Sequence, residues 1–193
     1  MLILASRSPR RQEILSRAGI PFLVRPAEVD EAPRPGEDAG ACVRRLARAK
    51  AQAVHADPGD IVLGADTVVV VDAAILGKPV DAADAAGMLA LLSGREHIVM
   101  TGICLRTGSR FIDDLEATRV RFVPLSPRAI EEYVSSGEPM DKAGAYAIQG
   151  LASKFIDRIE GCYFNVVGLP VARVYRHLVE SAAGRDSELL CGC

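Results

Sequence analysis

The run IVLGADTVVVVD, residues 61–72, constrains the fold of this chain more than any other stretch. It is almost unbroken in Val, Ile and Leu, the pattern of a strand buried on both faces in the middle of a sheet. One residue interrupts it. Asp66 stands between Gly64, Ala65 and Thr67, and a carboxylate left there without a partner would be costly to bury. A bound metal ion is the economical partner; a β-bulge or pairing with a lysine is the alternative.

Strands and helices alternate around this run. LILA, residues 2–5, reads as a short strand, after which Ser8 and Pro9 have the chemistry of an N-cap and first helical residue, with the helix running to about Ala18 and stopping at Gly19. PFLVRP is a second strand, followed by a Pro- and Gly-punctuated loop that carries Glu28, Asp30 and Glu31. From Glu37 to about His55, Val43, Leu46, Ala47, Ala53 and Val54 recur on one helical face, and Lys50 falls on the same face. AILGKPVD is a further strand leading to Lys78, and Asp81 caps a helix to Leu92. Two strand-rich segments then meet at TGSR, a hairpin turn. Ser126 and Pro127 open a helix ending near Gly137, and a Gly- and Ala-rich loop over 138–150 carries Asp141, Lys142 and Gln149. A last strand and turn precede a helix from about Leu169 to Ala183. This is an α/β pattern in one unit over residues 1–184, with 185–193 expected to be a disordered tail.

Charge narrows the function. The 193 residues are 25% charged and 5% aromatic with a formal net charge of -2, which argues against a general nucleic-acid binder. Basic clusters therefore need local explanations. In SRSPRR, Arg10 and Arg11 sit beside a helix N-terminus whose free N–H groups attract phosphate, although a solvated basic face is the simpler alternative for any one arginine. Lys50, placed among core positions, either meets an anion or carries its ammonium out to water along its stem. If it meets phosphate in a cleft, Lys50→Met is expected to leave stability unchanged or higher. Five cysteines, odd in number and without paired spacing, read as reduced thiols, and no apolar run approaches a membrane span, so a cytoplasmic protein is expected.

SRSPRR, EVDE, LARAKA, GADT, GKP, DKAGAYAIQG and NVVGLP, in this order from residue 3 to about 172, together resemble the Maf family of nucleoside triphosphate pyrophosphatases. The resemblance implies a mixed, elongated sheet flanked by helices, with two lobes around a deep cleft as in inosine triphosphate pyrophosphatases, and a homodimer. It implies hydrolysis of a nucleoside triphosphate to the monophosphate and pyrophosphate with a divalent cation, Mg²⁺ or Mn²⁺. Arg10, Thr67 and Gln149 match the kind that prefers dTTP and UTP; the 7-methyl-GTP kind has Trp, Gln and Glu there.

Carried onto this sequence, the resemblance makes Glu31 and Asp66 the metal ligands and Asp66 the base that deprotonates a water attacking the α-phosphorus. Ser8, Arg10, Arg11, Lys50, Thr67, Lys78 and Gln149 become substrate-binding residues, with the four cations set against the phosphate charge. Arg7 departs from a position that is often small, and the tail with Cys191 and Cys193 has no family counterpart. Other readings stay open: the same reaction on another nucleotide, a nucleotide sensor that does not cleave, and a nucleic-acid binder in septation, which balanced charge disfavours.

Overall fold

The computed structural model describes residues 1–190, with side chains described through Ser181. Cys191 and Cys193, and with them the end of the expected tail, lie outside the described residues. The elements in chain order are β1 (Leu2–Leu4), α1 (Pro9–Arg17), β2 (Phe22–Val24), α2 (Ala39–Ala53), β3 (Ile61–Val71), β4 (Ala74–Leu76), α3 (Ala82–Leu92), β5 (Glu96–Thr107), β6 (Arg110–Phe122), α4 (Pro127–Ser135), β7 (Ile156–Glu160), α5 (Tyr163–Val167) and α6 (Val171–Leu190). Short 3-10 turns cover Glu138–Asp141, Ala143–Ala145 and Leu151–Phe155.

Helix starts follow from side chains that accept the first free N–H groups. Ser8, Asp38, Asp81 and Ser126 accept from Arg11, Ala41, Asp84 and Ala129, and proline occupies the first turn after both serines. Because Asp38 is the cap, α2 begins after Glu37, whose carboxylate instead receives the Arg45 guanidinium at 2.6 Å. The helix also ends early enough that Ala53, expected on the buried stripe, is exposed.

The seven strands of the described residues form one mixed sheet in the order β2-β1-β3-β5-β6-β7, with β4 added to β3. β1 is parallel to both β2 and β3, as crossovers through α1 and α2 require, and every later pairing is antiparallel. β3 is central, as its apolar run predicts. Along one edge it pairs with β5 from Ile61 to Val70. Its other edge is divided: Ile61–Leu63 pair with β1 and Val69–Val71 with β4. Gly64 to Val68 have no partner strand there among the described residues, and this gap contains Asp66 and Thr67.

Two lobes meet at the gap. Leu2, Leu4, Ile14, Leu15, Leu63, Ala65, Ile103, Leu169 and Val174 form a buried cluster at one end of the sheet. At the other, Val69, Val71, Leu89, Leu92, Phe122, Tyr133, Tyr146 and Phe155 form a second. His97 lies within the second cluster, packed edge-on to Phe122 and Tyr146, and burial lowers its pKa to about 4.

α2 packs its backbone directly against the sheet at two strand positions that lack side chains. A Cβ on Gly64 would stand 2.0 Å from the Ala47 carbonyl oxygen, and one on Gly102 would stand 2.5 Å from the Val43 carbonyl. Gly102 is the cross-strand partner of Asp66, so both glycines lie on the face from which Asp66 projects. The close approach brings Lys50 of α2 over that carboxylate. Gly64→Ala must push α2 outward; overpacking of this kind costs about 1–3 kcal/mol, and here, against backbone, the upper part of that range is expected. Thermal unfolding with an activity assay checks it: a lower melting temperature and reduced turnover are expected together.

Candidate active site

A cleft of about 790 Å³ opens at the gap in β3. Its walls come from the β1–α1 turn, the acidic loop before α2, α2 itself, the middle of β3, the segment after β4 and the loop over 138–150. All of the residues assigned from sequence, Ser8, Arg10, Arg11, Glu31, Lys50, Asp66, Thr67, Lys78 and Gln149, line it.

The two faces of β3 give the site two halves. On the α2 side, Lys50 Nζ lies 2.6 Å from Asp66 Oδ1 and 2.5 Å from Glu31 Oε1. Lys50 and Asp66 are buried, whereas Glu31 is about half exposed, with side-chain exposures of 8%, 12% and 48%. Lys78 Nζ, at the exposed rim, is 4.0 Å from Glu31 Oε2. Burial works to raise the Glu31 carboxyl, but the Lys50 hydrogen bond and the charges of Lys50, Lys78 and Arg11 hold it below the ordinary carboxylate value.

Lys50 therefore does meet anions, and they belong to the protein. This reverses the expectation for Lys50→Met, because removing the ammonium would leave a buried carboxylate without its cation.

On the opposite face, Arg11 replaces the missing strand. Its guanidinium donates to the Ala65 carbonyl at 2.9 Å, Ser6 Oγ at 3.1 Å, Thr67 Oγ1 at 3.1 Å and the Gly168 carbonyl at 2.9 Å. Four of the five guanidinium N–H groups are thus spent on the scaffold. Arg11 fastens the start of α1 to β3 and the Gly168 turn, and brings its charge to the cleft more than its donors. Thr67 is similarly engaged, with its hydroxyl 2.9 Å from that of Thr101.

The remaining wall carries residues that sequence reading noted only as polar loop content. Arg10 Nη1 is 3.3 Å from Asp141 Oδ2, and its Nη2 reaches the Asp141 carbonyl at 3.4 Å, joining α1 to the 138–150 loop. Lys142 Nζ donates to Asp141 Oδ1 at 2.5 Å and to the Glu138 carbonyl at 2.7 Å. The adjacent Asp141-Lys142 pair at the head of a Gly- and Ala-rich loop was the available signal. Gln149, farther along the loop, is exposed. Arg7, the departure from the family pattern, is paired with Glu28 at 2.6 Å on the exposed rim.

Among the described residues lining the cleft, six cations (Arg7, Arg10, Arg11, Lys50, Lys78 and Lys142) face four carboxylates (Glu28, Glu31, Asp66 and Asp141). The cleft is thus positive within a chain of net negative charge, which suits a polyanion. Each of these carboxylates is paired with a cation of the same cleft.

No three His, Cys, Asp or Glu residues are grouped for metal binding among the described residues. Glu31 and Asp66 nonetheless converge on one ammonium, and carboxylate oxygens are the donors that a hard divalent cation such as Mg²⁺ prefers. The residues fit such an ion.

The Maf-like protein family model matches residues 1–181. This chain belongs to the Maf family. Its Maf relatives include the dTTP/UTP pyrophosphatase of Koribacter versatilis (strain Ellin345), 55% identical over 176 residues that cover 91% of each chain. The protein of the same name from Symbiobacterium thermophilum (strain DSM 24528 / JCM 14929 / IAM 14863 / T) is 54% identical over 180 residues, 93% of each chain. That of Syntrophomonas wolfei subsp. wolfei (strain DSM 2245B / Goettingen) is 51% identical over 175 residues, covering 89% of this chain and 93% of its own.

Proposed function

We propose that the chain is a nucleoside triphosphate pyrophosphatase that hydrolyses dTTP and UTP to the monophosphate and pyrophosphate. The observation that carries the reading is the Asp66–Lys50–Glu31 cluster at the gap in β3, with Asp66 and Lys50 buried and Glu31 half exposed, inside a cleft lined by more cations than carboxylates. Relatives of matching length named dTTP/UTP pyrophosphatase support it.

Asp66 takes the proton from the water that attacks the α-phosphorus. Its Oδ1 faces Lys50, and we assign the proton to Oδ2. Arg10, released from Asp141, and Lys50 and Lys78, released from Glu31, hold the phosphates while Lys50 stays on Asp66 Oδ1 and Arg11 adds charge from its fixed place. Together they stabilise the negative charge that gathers on the departing pyrophosphate. Ser8, at the start of α1, adds a hydroxyl. A divalent cation, Mg²⁺ or Mn²⁺, held by Glu31 and Asp66, would neutralise phosphate charge and make bound water more acidic.

Base choice falls to Gln149, with Arg10 and Thr67 as the other two positions. An amide both donates and accepts, which suits the mixed edge of uracil or thymine, whereas a carboxylate only accepts and favours a purine edge rich in N–H donors. UTP and dTTP should exceed GTP and 7-methyl-GTP in kcat/KM by at least about tenfold, the ratio given by roughly 1.4 kcal/mol of differential binding. Glu in place of Gln149 should narrow the gap. Pyrophosphate release across the four nucleotides measures it, and equal activity would refute this assignment of base choice. We expect the chain to act as a homodimer in the cytoplasm, without nucleic acid; no helix of the described residues is long and apolar enough to cross a membrane.

A further inference from the structure

The segment that carries Gln149 is held from behind by two residues that do not line the cleft. Tyr133 of α4 is 2% exposed and donates its hydroxyl to Glu138 Oε1 at 2.8 Å. The same hydroxyl oxygen accepts the Ala147 N–H at 3.2 Å. Glu138 Oε2 accepts the Leu151 N–H at 3.1 Å. A single Tyr–Glu pair therefore ties both ends of the five residues from Ala147 to Leu151.

Within that span the Gly150 N–H donates to the Ala147 carbonyl at 3.1 Å, which closes a four-residue turn with Gln149 at its third position. Gly150 completes the fit. A Cβ there would lie 2.3 Å from both Glu138 carboxylate oxygens, so a larger residue would force the carboxylate off the turn. Ala147, Ile148 and Gln149 face the cleft, whereas Tyr133, Glu138 and Leu151 do not line it.

We propose that Tyr133 and Glu138 form a positioning clamp for base recognition, which fixes the turn presenting Gln149 and so sets the selectivity between bases that differ along their hydrogen-bonding edge. The inference rests on Gln149 reading the base. An amide alone is a poor discriminator between uracil and cytosine, because it carries a donor and an acceptor and can rotate to suit either edge. Discrimination needs the amide held in one place, so that the wrong edge leaves polar groups unpaired. A supporting shell that is loose by about 1 Å is enough to lose that effect. The clamp supplies such a shell from the core, since the Tyr133 ring packs edge-on against Phe155, 5.5 Å between centroids.

The test is kcat/KM for UTP and for CTP, with thermal unfolding, for the wild-type protein, Tyr133→Phe, Glu138→Gln and Gln149→Ala. Tyr133→Phe keeps the ring in its packing and removes only the hydroxyl; Glu138→Gln keeps the shape and removes one acceptor. Both should lower the UTP-to-CTP ratio by at least about fivefold while turnover at saturating UTP stays within about threefold of wild type, since the groups that act on phosphate are untouched. Gln149→Ala should lower the ratio at least as far. If Gln149→Ala lowers it and both clamp variants keep the wild-type ratio, the clamp is overturned and the base contact stands. If Gln149→Ala itself leaves the ratio unchanged, the base contact is wrong and the clamp falls with it. Equal losses on both nucleotides at an unchanged ratio would assign the pair to the scaffold alone and overturn the proposal.

Discussion

Asp66→Asn is expected to lower kcat by roughly a hundredfold or more while the protein stays folded. Asparagine keeps the size of the side chain and an oxygen that can accept from Lys50, so the 2.6 Å contact on the α2 face can survive. What disappears is the negative charge and the atom that can take a proton. The surroundings are prepared for this change, because Lys50 retains a second carboxylate in Glu31 at 2.5 Å. Circular dichroism and a melting temperature near that of wild type, measured beside pyrophosphate release from UTP, separate lost chemistry from lost structure. A well-folded Asp66→Asn protein with full activity would remove Asp66 from the reaction.

Lys50→Met is expected to fail in both respects. Lys50 and Asp66 are both buried, and breaking a buried pair by deleting one member costs about 3–5 kcal/mol when the survivor stays charged. Asp66 keeps a small opening to the cleft, so about 2–3 kcal/mol is the expected loss in urea unfolding at neutral pH. Catalysis should fall as well, since the residue that links the two carboxylates, and that is proposed to hold phosphate, is gone. The loss should shrink in Lys50→Met combined with Asp66→Asn, where no buried charge is left unpaired. Unchanged stability in Lys50→Met alone would mean that Asp66 does not depend on this partner.

Much of this was legible in the sequence because it rests on local rules. Ser8-Pro9 and Ser126-Pro127 announce helix starts through capping chemistry that needs no tertiary context, and the run over 61–72 declares its central place by being apolar on both faces. Asp66 was conspicuous for the same reason. The partners across the cleft were not legible: that Lys50 bridges Asp66 and Glu31 depends on how closely α2 approaches the sheet, set by Gly64 and Gly102, whose roles appear only when the two strands are in register. The helix position of Arg11 predicts an anion site, but not that the division of the β3 edge between β1 and β4 leaves a backbone carbonyl for it to satisfy. The clamp on Gln149 joins residues 133, 138, 147 and 151 through hydrogen bonds that no spacing pattern announces.

In the proposed reaction this cleft directs water to the α-phosphorus of a pyrimidine nucleoside triphosphate. Hydrolysis of UTP in water enriched in heavy oxygen, with both products analysed by mass spectrometry, tests it most directly. Water attack on the α-phosphorus places heavy oxygen in the monophosphate and none in the pyrophosphate. Label in the pyrophosphate, or release of orthophosphate and the diphosphate in its place, would contradict it.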